Sequence, residues 1–314
     1  RQKNLVSVNP TFDLQSMISH VTPYEIMIRQ SRRVTEKIPI LITPPIGEAP
    51  KGYQFLDIWP YQLQLTVNGP EESVKQMKSR GCKLTFNLSD ISSAELDTLS
   101  ASHTQRQLDE VSFFVPQSWK KIILPQLSDT PIEIDDPQAS ALRIDFTKQD
   151  LLPIGAPIPV LVFFPPKYSG TLNPETYQIG TNHFITKKNG IKMISTPLYA
   201  RGISSLFLET VKDMIQLVVI AAPKSERETL HWHTQFMHTH ELEDCYVAKI
   251  MAESHDTRED YLRNRFRSYM NRFRLHTPNG QKLGLQIELQ AKAISISPIN
   301  LSSDQDELTP SCIQ

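Results

Sequence analysis

The chain is 314 residues long with a formal net charge of −1, and it contains 23 Pro against 11 Gly. Near neutrality removes any general electrostatic reason to bind nucleic acid, so no nucleic-acid partner is expected. Proline above its usual share of about 5%, with glycine below about 7%, favours a strand-rich protein with stiff turns over a helical bundle. The length is enough for two cores, since domains commonly run to about 100–200 residues.

In chain order, Lys37 to Pro45 reads as an apolar strand stopped by a double proline. After the Gly52-Tyr53 entry, Leu63, Leu65 and Val67 alternate with Gln62, Gln64 and Thr66, the period of a half-buried strand. Gly69-Pro70 then opens a short helix, with Glu71 and Glu72 in its first turn, Val74 and Met77 as its apolar stripe, and Gly81 as its cap. A further strand follows, with Leu84, Phe86 and Leu88 on one side. None of these residues is a plausible nucleophile, acid or metal ligand, so the best-patterned stretch is structural.

The run Ile38-Pro39-Ile40, Gly52-Tyr53, Trp59-Pro60, Val67-Asn68-Gly69-Pro70, Val74 and Phe86-Asn87-Leu88-Ser89 resembles the YbbR domain. The match covers roughly residues 22 to 93. Asn87 stands where the family often has Asp, and its side chain keeps the acceptor that caps the following turn. The resemblance implies a module found in tandem in bacterial membrane-anchored proteins, including regulators of membrane-bound diadenylate cyclase, which makes cyclic di-AMP. It also implies a single N-terminal transmembrane helix ahead of an extracytoplasmic region. The chain begins at Arg1, as a trimmed or processed chain would, and the apolar run from Leu217 to Ala222 is far short of the about 18 residues a span needs.

Internal echoes favour a duplication independently of the family. Thr22-Pro23-Tyr24-Glu25-Ile26 recurs as Thr130-Pro131-Ile132-Glu133-Ile134, and Ile38-Pro39-Ile40-Leu41-Ile42 as Ile158-Pro159-Val160-Leu161-Val162. Tyr53-Gln54-Phe55 is echoed by Tyr177-Gln178-Ile179, and the order is kept while the offset grows from 108 to 124. The cysteines, Cys82, Cys245 and Cys312, form no paired motif and read as buried or free thiols.

Beyond residue 180, Leu206, Leu208, Val211, Met214 and Ile215 fit a helix leading into a strand that stops at Pro223. Next come His231-Trp232-His233 and His238-Thr239-His240. Residues two apart on a strand share a face, so a hairpin turning at Thr234 to Met237 would converge four imidazoles on a zinc ion. The same residues also describe a partly exposed strand whose polar face is imidazole.

Asp256-Thr257-Arg258-Glu259 fits a capping box, and Leu262, Phe266, Tyr269, Met270 and Phe273 lie at helical spacing. Arg258, Arg263, Arg265, Arg267, Arg272 and Arg274 make this segment basic, suited either to an acidic partner or anionic lipid, or to the acids of residues 224–256. After the Thr277-Pro278-Asn279-Gly280 turn, Leu285 to Ala293 alternates as one strand.

The expected fold is a β-rich α+β protein of elongated, tandem YbbR-like domains with short helices and a divergent C-terminal α+β segment. Residues 1–105 form the first domain, 106–222 the second, 223–298 the region with the basic helix, and 299–314 a disordered tail. No G-x-S-x-G, P-loop or G-x-G-x-x-G pattern occurs, and Asp135-Asp136 reads as a solvated or capping pair. The expected protein is not an enzyme and carries no cofactor, unless the histidines hold zinc as a binding protein or hydrolase.

Overall fold

The structure is a computed structural model that describes residues 31–102, 109–125, 127–222, 229–253, 258–290 and 292–299. It is a β-rich α+β protein. The first part runs β1 (Arg33–Ile42), β2 (Tyr53–Trp59), β3 (Gln62–Pro70), α1 (Glu71–Arg80), β4 (Cys82–Leu84), α2 (Ser93–Ser102), β5 (Glu110–Phe114), β6 (Lys121–Leu124), β7 (Ser128–Glu133) and β8 (Arg143–Lys148). The second begins with β9 (Leu151–Pro153), β10 (Val160–Phe163), β11 (Gln178–Ile179), β12 (Ile185–Lys188), β13 (Ile191–Ile194), β14 (Tyr199–Arg201), α3 (Ser205–Val211) and β15 (Ile215–Ile220). It closes with β16 (His231–Phe236), α4 (Thr239–Glu253), α5 (Glu259–Arg272), β17 (Leu275–His276), β18 (Leu285–Gln290) and β19 (Ala293–Pro298). No helix among the described residues is long and apolar enough to cross a membrane.

Local signals translate into local structure across the first part. Leu63, Leu65 and Val67 are buried in β3, as are Val74 and Met77 in α1. The Gly81 N–H caps that helix through the Met77 carbonyl at a φ of 68°, a left-handed conformation that favours glycine. Asn87 accepts from the Ser89 N–H at 3.1 Å, the side-chain cap expected of it. The free edge of β3 is covered by the paired acids: Asp136 Oδ2 accepts from Gln64 N at 2.7 Å and Asp135 Oδ1 from Thr66 N at 2.9 Å. Carboxylates thus occupy donors that would otherwise recruit another strand.

The buried residues fall into two cores, and the division does not follow the expected boundaries. One core takes residues from Ile38 to Phe146, the other takes residues from Ile154 to Ile296 together with Leu56. A boundary at 105/106 therefore cuts the first core, because β8 is the centre of the sheet β2-β8-β5 and needs strands from both sides of that point. A boundary at 222/223 likewise cuts the second, because β16 completes the sheet β10-β15-β16. Leu285 to Ala293 is also not a single strand: β18 ends at Gln290, Lys292 takes a φ of 65°, and β19 returns antiparallel.

Two strands from different cores share one plan. β1 runs antiparallel to β3 and parallel to β4, with Pro39 opposite Gln64 and Ile40 opposite Cys82. β10 runs parallel to β15, with Val160 opposite Leu217, and on its other side Pro159 bridges antiparallel to Met193 of β13. Both parallel connections pass through a helix, as such pairings require a crossover. Ile38 and Ile40 are buried, as are Ile158 and Val160, while Leu41 and Leu161 are 39% and 41% exposed. The third echo departs from the plan, because β2 pairs antiparallel with β8 whereas β11 pairs parallel with β19. In the first, residues 22–26 lie outside the described residues.

The cores meet at an irregularity in β2. Phe55 pairs with Phe146 and Asp57 with Asp145, so Leu56 is the extra residue of a β-bulge. A bulge bends the strand and re-aims a side chain. Here it sends Leu56 into the second core, while Tyr53 and Ile58 of the same strand serve the first.

Candidate functional site

The expected four-histidine hairpin does not form. β16 is one strand from His231 to Phe236, with His231 and His233 exposed and Trp232, Thr234 and Phe236 turned partly inward. Trp232 and Phe236 pack on the second core. The strand does not turn back, because Met237 N still donates to the Met214 carbonyl and His238 then takes a φ of 51°. Leu242 N donates to the His238 carbonyl, so the chain goes straight into α4 and carries His240 onto a helix. His238 Nδ1 lies 3.5 Å from Glu241, its neighbour one turn on. Among the described residues, no group of three or more His, Cys, Asp and Glu side chains could hold a metal ion. The alternation of β16 reflects an aromatic inner face with imidazoles opposite. Cys82 is buried and Cys245 exposed, both free, and Cys312 lies outside the described residues.

The arginine segment forms α5, capped by the Arg258 backbone rather than by a side chain, and residues 256–257 of the expected capping box lie outside the described residues. Its stripe of Leu262, Phe266, Tyr269 and, just past the helix, Phe273 is buried in the second core. The arginines have separate fates. Arg263 meets Glu259 at 2.7 Å, Asp244 at 2.8 Å and Glu243 at 3.1 Å, and Arg267 meets Glu243 at 2.9 Å. Acids of α4 thus neutralise this side of α5, as the charge balance of residues 224–256 suggested. Arg272 donates to the Phe55 carbonyl at the β2 bulge, and Arg274 to the carbonyls of Asn271 and Phe273. Arg258 lies over the Trp59 ring at 5.8 Å.

Arg265 corrects the expectation of a surface, being only 5% exposed. It donates to Glu110 of β5, to Asp145 of β8 at 2.9 Å and to the Tyr261 hydroxyl. Tyr269 donates to the other Glu110 oxygen at 2.6 Å. Nearby, Asn264 donates to the Tyr61 hydroxyl at 3.1 Å, and Tyr61 donates to Asp57 at 2.7 Å. One helix of the second core therefore grips three strands of the first through two neighbouring sets of polar contacts.

No family model, curated protein or solved structure matches this chain.

The electrostatics of the cluster follow from burial. Desolvation alone would lower the Arg265 pKa, but Glu110 and Asp145 outweigh it and hold the guanidinium above its ordinary value. Burial pushes the phenols of Tyr269 and Tyr246 up, with the Glu110 charge adding to it. The Asp57 carboxyl is raised, first by burial, against the pull of its hydrogen bonds from Tyr61 and Ile58. A cation locked between two carboxylates is a fixed charge, and its chemistry is to hold two surfaces in one relation.

Sequence reasoning missed Glu110 and Asp145 for a definite reason. Arg143-Ile-Asp-Phe-Thr-Lys alternates polar and apolar residues, yet Ile144, Asp145, Phe146 and Thr147 are all buried. β8 is the central strand of its sheet, with Ile144 and Phe146 in the first core. Its polar face lies beneath α5. The available signal was the excess of arginines on that helix, whose partners are 155 and 120 positions away from Arg265 in the chain.

Proposed function

We propose that this chain is a non-catalytic regulatory or scaffold protein built of tandem YbbR-like units, acting through protein contacts. Its partner would be a membrane-bound diadenylate cyclase, with this region extracytoplasmic and tethered to the membrane by an N-terminal helix. The observation that carries the reading is the plan shared by β1 and β10: the same flanking directions, the same proline position and the same buried and exposed residues. Two cores with one strand plan suit a duplicated module. The Arg265 clamp supports the mechanism, since two cores fixed by a buried ion pair pass a displacement of one to the other rather than absorbing it.

The test is co-expression of the protein, with its native N-terminal region, alongside a membrane diadenylate cyclase. A changed cyclic di-AMP level and co-purification of the two proteins are the expected results. Unchanged nucleotide output with no co-purification removes the cyclase as partner.

A further inference from the structure

A cavity of about 340 Å³ opens between β16 and the segment that links α5 to β18. That volume falls at the small end of the range for ligand pockets, about 300–1,000 Å³. Its floor is apolar: Phe236 and Phe273 meet edge to face with centroids 5.0 Å apart, beside Met270 and Leu283. Trp232 lines it from β16.

Its polar lining is His233, Thr234, Arg274 and Lys282, and no carboxylate among the described residues lines it. Lys282 makes no hydrogen bond or ion pair among the described residues, and Arg274 donates only to the backbone carbonyls of Asn271 and Phe273. These two cations differ from Arg263, Arg265 and Arg267, each of which has a carboxylate partner. The excess is felt locally. Beside the cavity, burial lowers the His276 pKa against the pull of its hydrogen bond with the Arg274 carbonyl, and the charges of Arg201 and Lys282 lower it further.

We propose that this cavity binds a small anionic amphiphile, its apolar body on the Phe236–Phe273 floor and its carboxylate or phosphate between Arg274 and Lys282. An apolar pocket with a few convergent polar groups is the usual form of such a site. Two cations without carboxylate partners select the sign of the head group, because a neutral ligand leaves them uncompensated and a cationic one is repelled. The site does not depend on the cyclase reading.

The test is titration of the whole chain with sodium decanoate, kept below its micelle range, by calorimetry and tryptophan fluorescence. Decanol and decyltrimethylammonium serve as neutral and cationic controls. The expected result is saturable one-site binding of decanoate, weakened about tenfold or more in Lys282→Glu, since hydrogen bonds to charged groups contribute on that scale. The fluorescence change should vanish in Trp232→Phe while calorimetric binding persists. Lys282 lies exposed, so its variant tests the head-group contact without disturbing the core. A decyl phosphate arm distinguishes a phosphate head from a carboxylate. Absence of saturable decanoate and decyl phosphate binding, equal affinity in Lys282→Glu, or equal binding of decanol would each overturn the proposal.

Discussion

The arginine helix α5 and the histidine strand β16 both concentrate side chains that bind ions, and both belong to the second core. Their fates are opposite. On α5, Arg265 is sealed against Glu110 and Asp145, and Arg263 and Arg267 share Glu243. On β16, His231 and His233 stay exposed, while His238 lies in the bend after the strand and His240 on α4. The difference lies in what faces each element. α5 lies across the polar face of a three-stranded sheet and meets fixed carboxylates. β16 is the outer strand of its sheet in the order β10-β15-β16, and among the described residues the exposed His231 and His233 have no carboxylate partner. A dense run of ligand-type residues says little until its opposite surface is known.

The largest effect should come from breaking the clamp. Arg265→Met leaves Glu110 without its cation and Asp145 with only Arg143 at 3.5 Å, and should cost about 3–5 kcal/mol in urea unfolding. Adding Glu110→Gln and Asp145→Asn should recover part of the loss, since the penalty is one of unpaired charge. Equal stability of Arg265→Met and the wild type would show that the cores are not held this way. Leu56→Ala, which empties the bulge contact, should follow at about 2–5 kcal/mol by the same measurement. A value within about 0.5 kcal/mol would mean the bulge residue is not packed.

A smaller effect separates the regions by pH. Burial lowers the His276 pKa in the folded state, so folding favours its neutral imidazole. Its contribution is present above the unfolded value near pH 6.5 and is lost as pH falls through the lower folded value. The urea midpoint should therefore drop between pH 7 and pH 5 more in the wild type than in His276→Gln. The same drop in both proteins would remove His276 from the account. The smallest effect belongs to β16. Replacing His231 and His233 together by Gln should change stability by less than about 0.5 kcal/mol, with Tm unmoved by a chelator. A chelator-dependent Tm would restore the zinc reading.

Legibility varied with the range of the interaction. The Gln62–Pro70 strand, the Gly81 cap and the Asn87 cap could be read because each depends on residues within a turn or on simple alternation. The α5 stripe was legible for the same reason. The domain limits were not, because β8 draws strands from well before and just after residue 105 into one sheet. The histidine hairpin failed at Met237, whose N–H is taken by Met214, a residue on another element. Of the interface cluster only the excess of arginines was visible.

The sequence by itself determined the β-rich character, the positions of helices α1 and α5 and the two matching strands β1 and β10, since periodicity and turn chemistry act locally. Only the tertiary structure decided which charges are buried. Burial depends on which distant surface covers a face, and β8 shows it: an alternating strand became doubly buried because α5 closed over Asp145 and brought Arg265 to meet it.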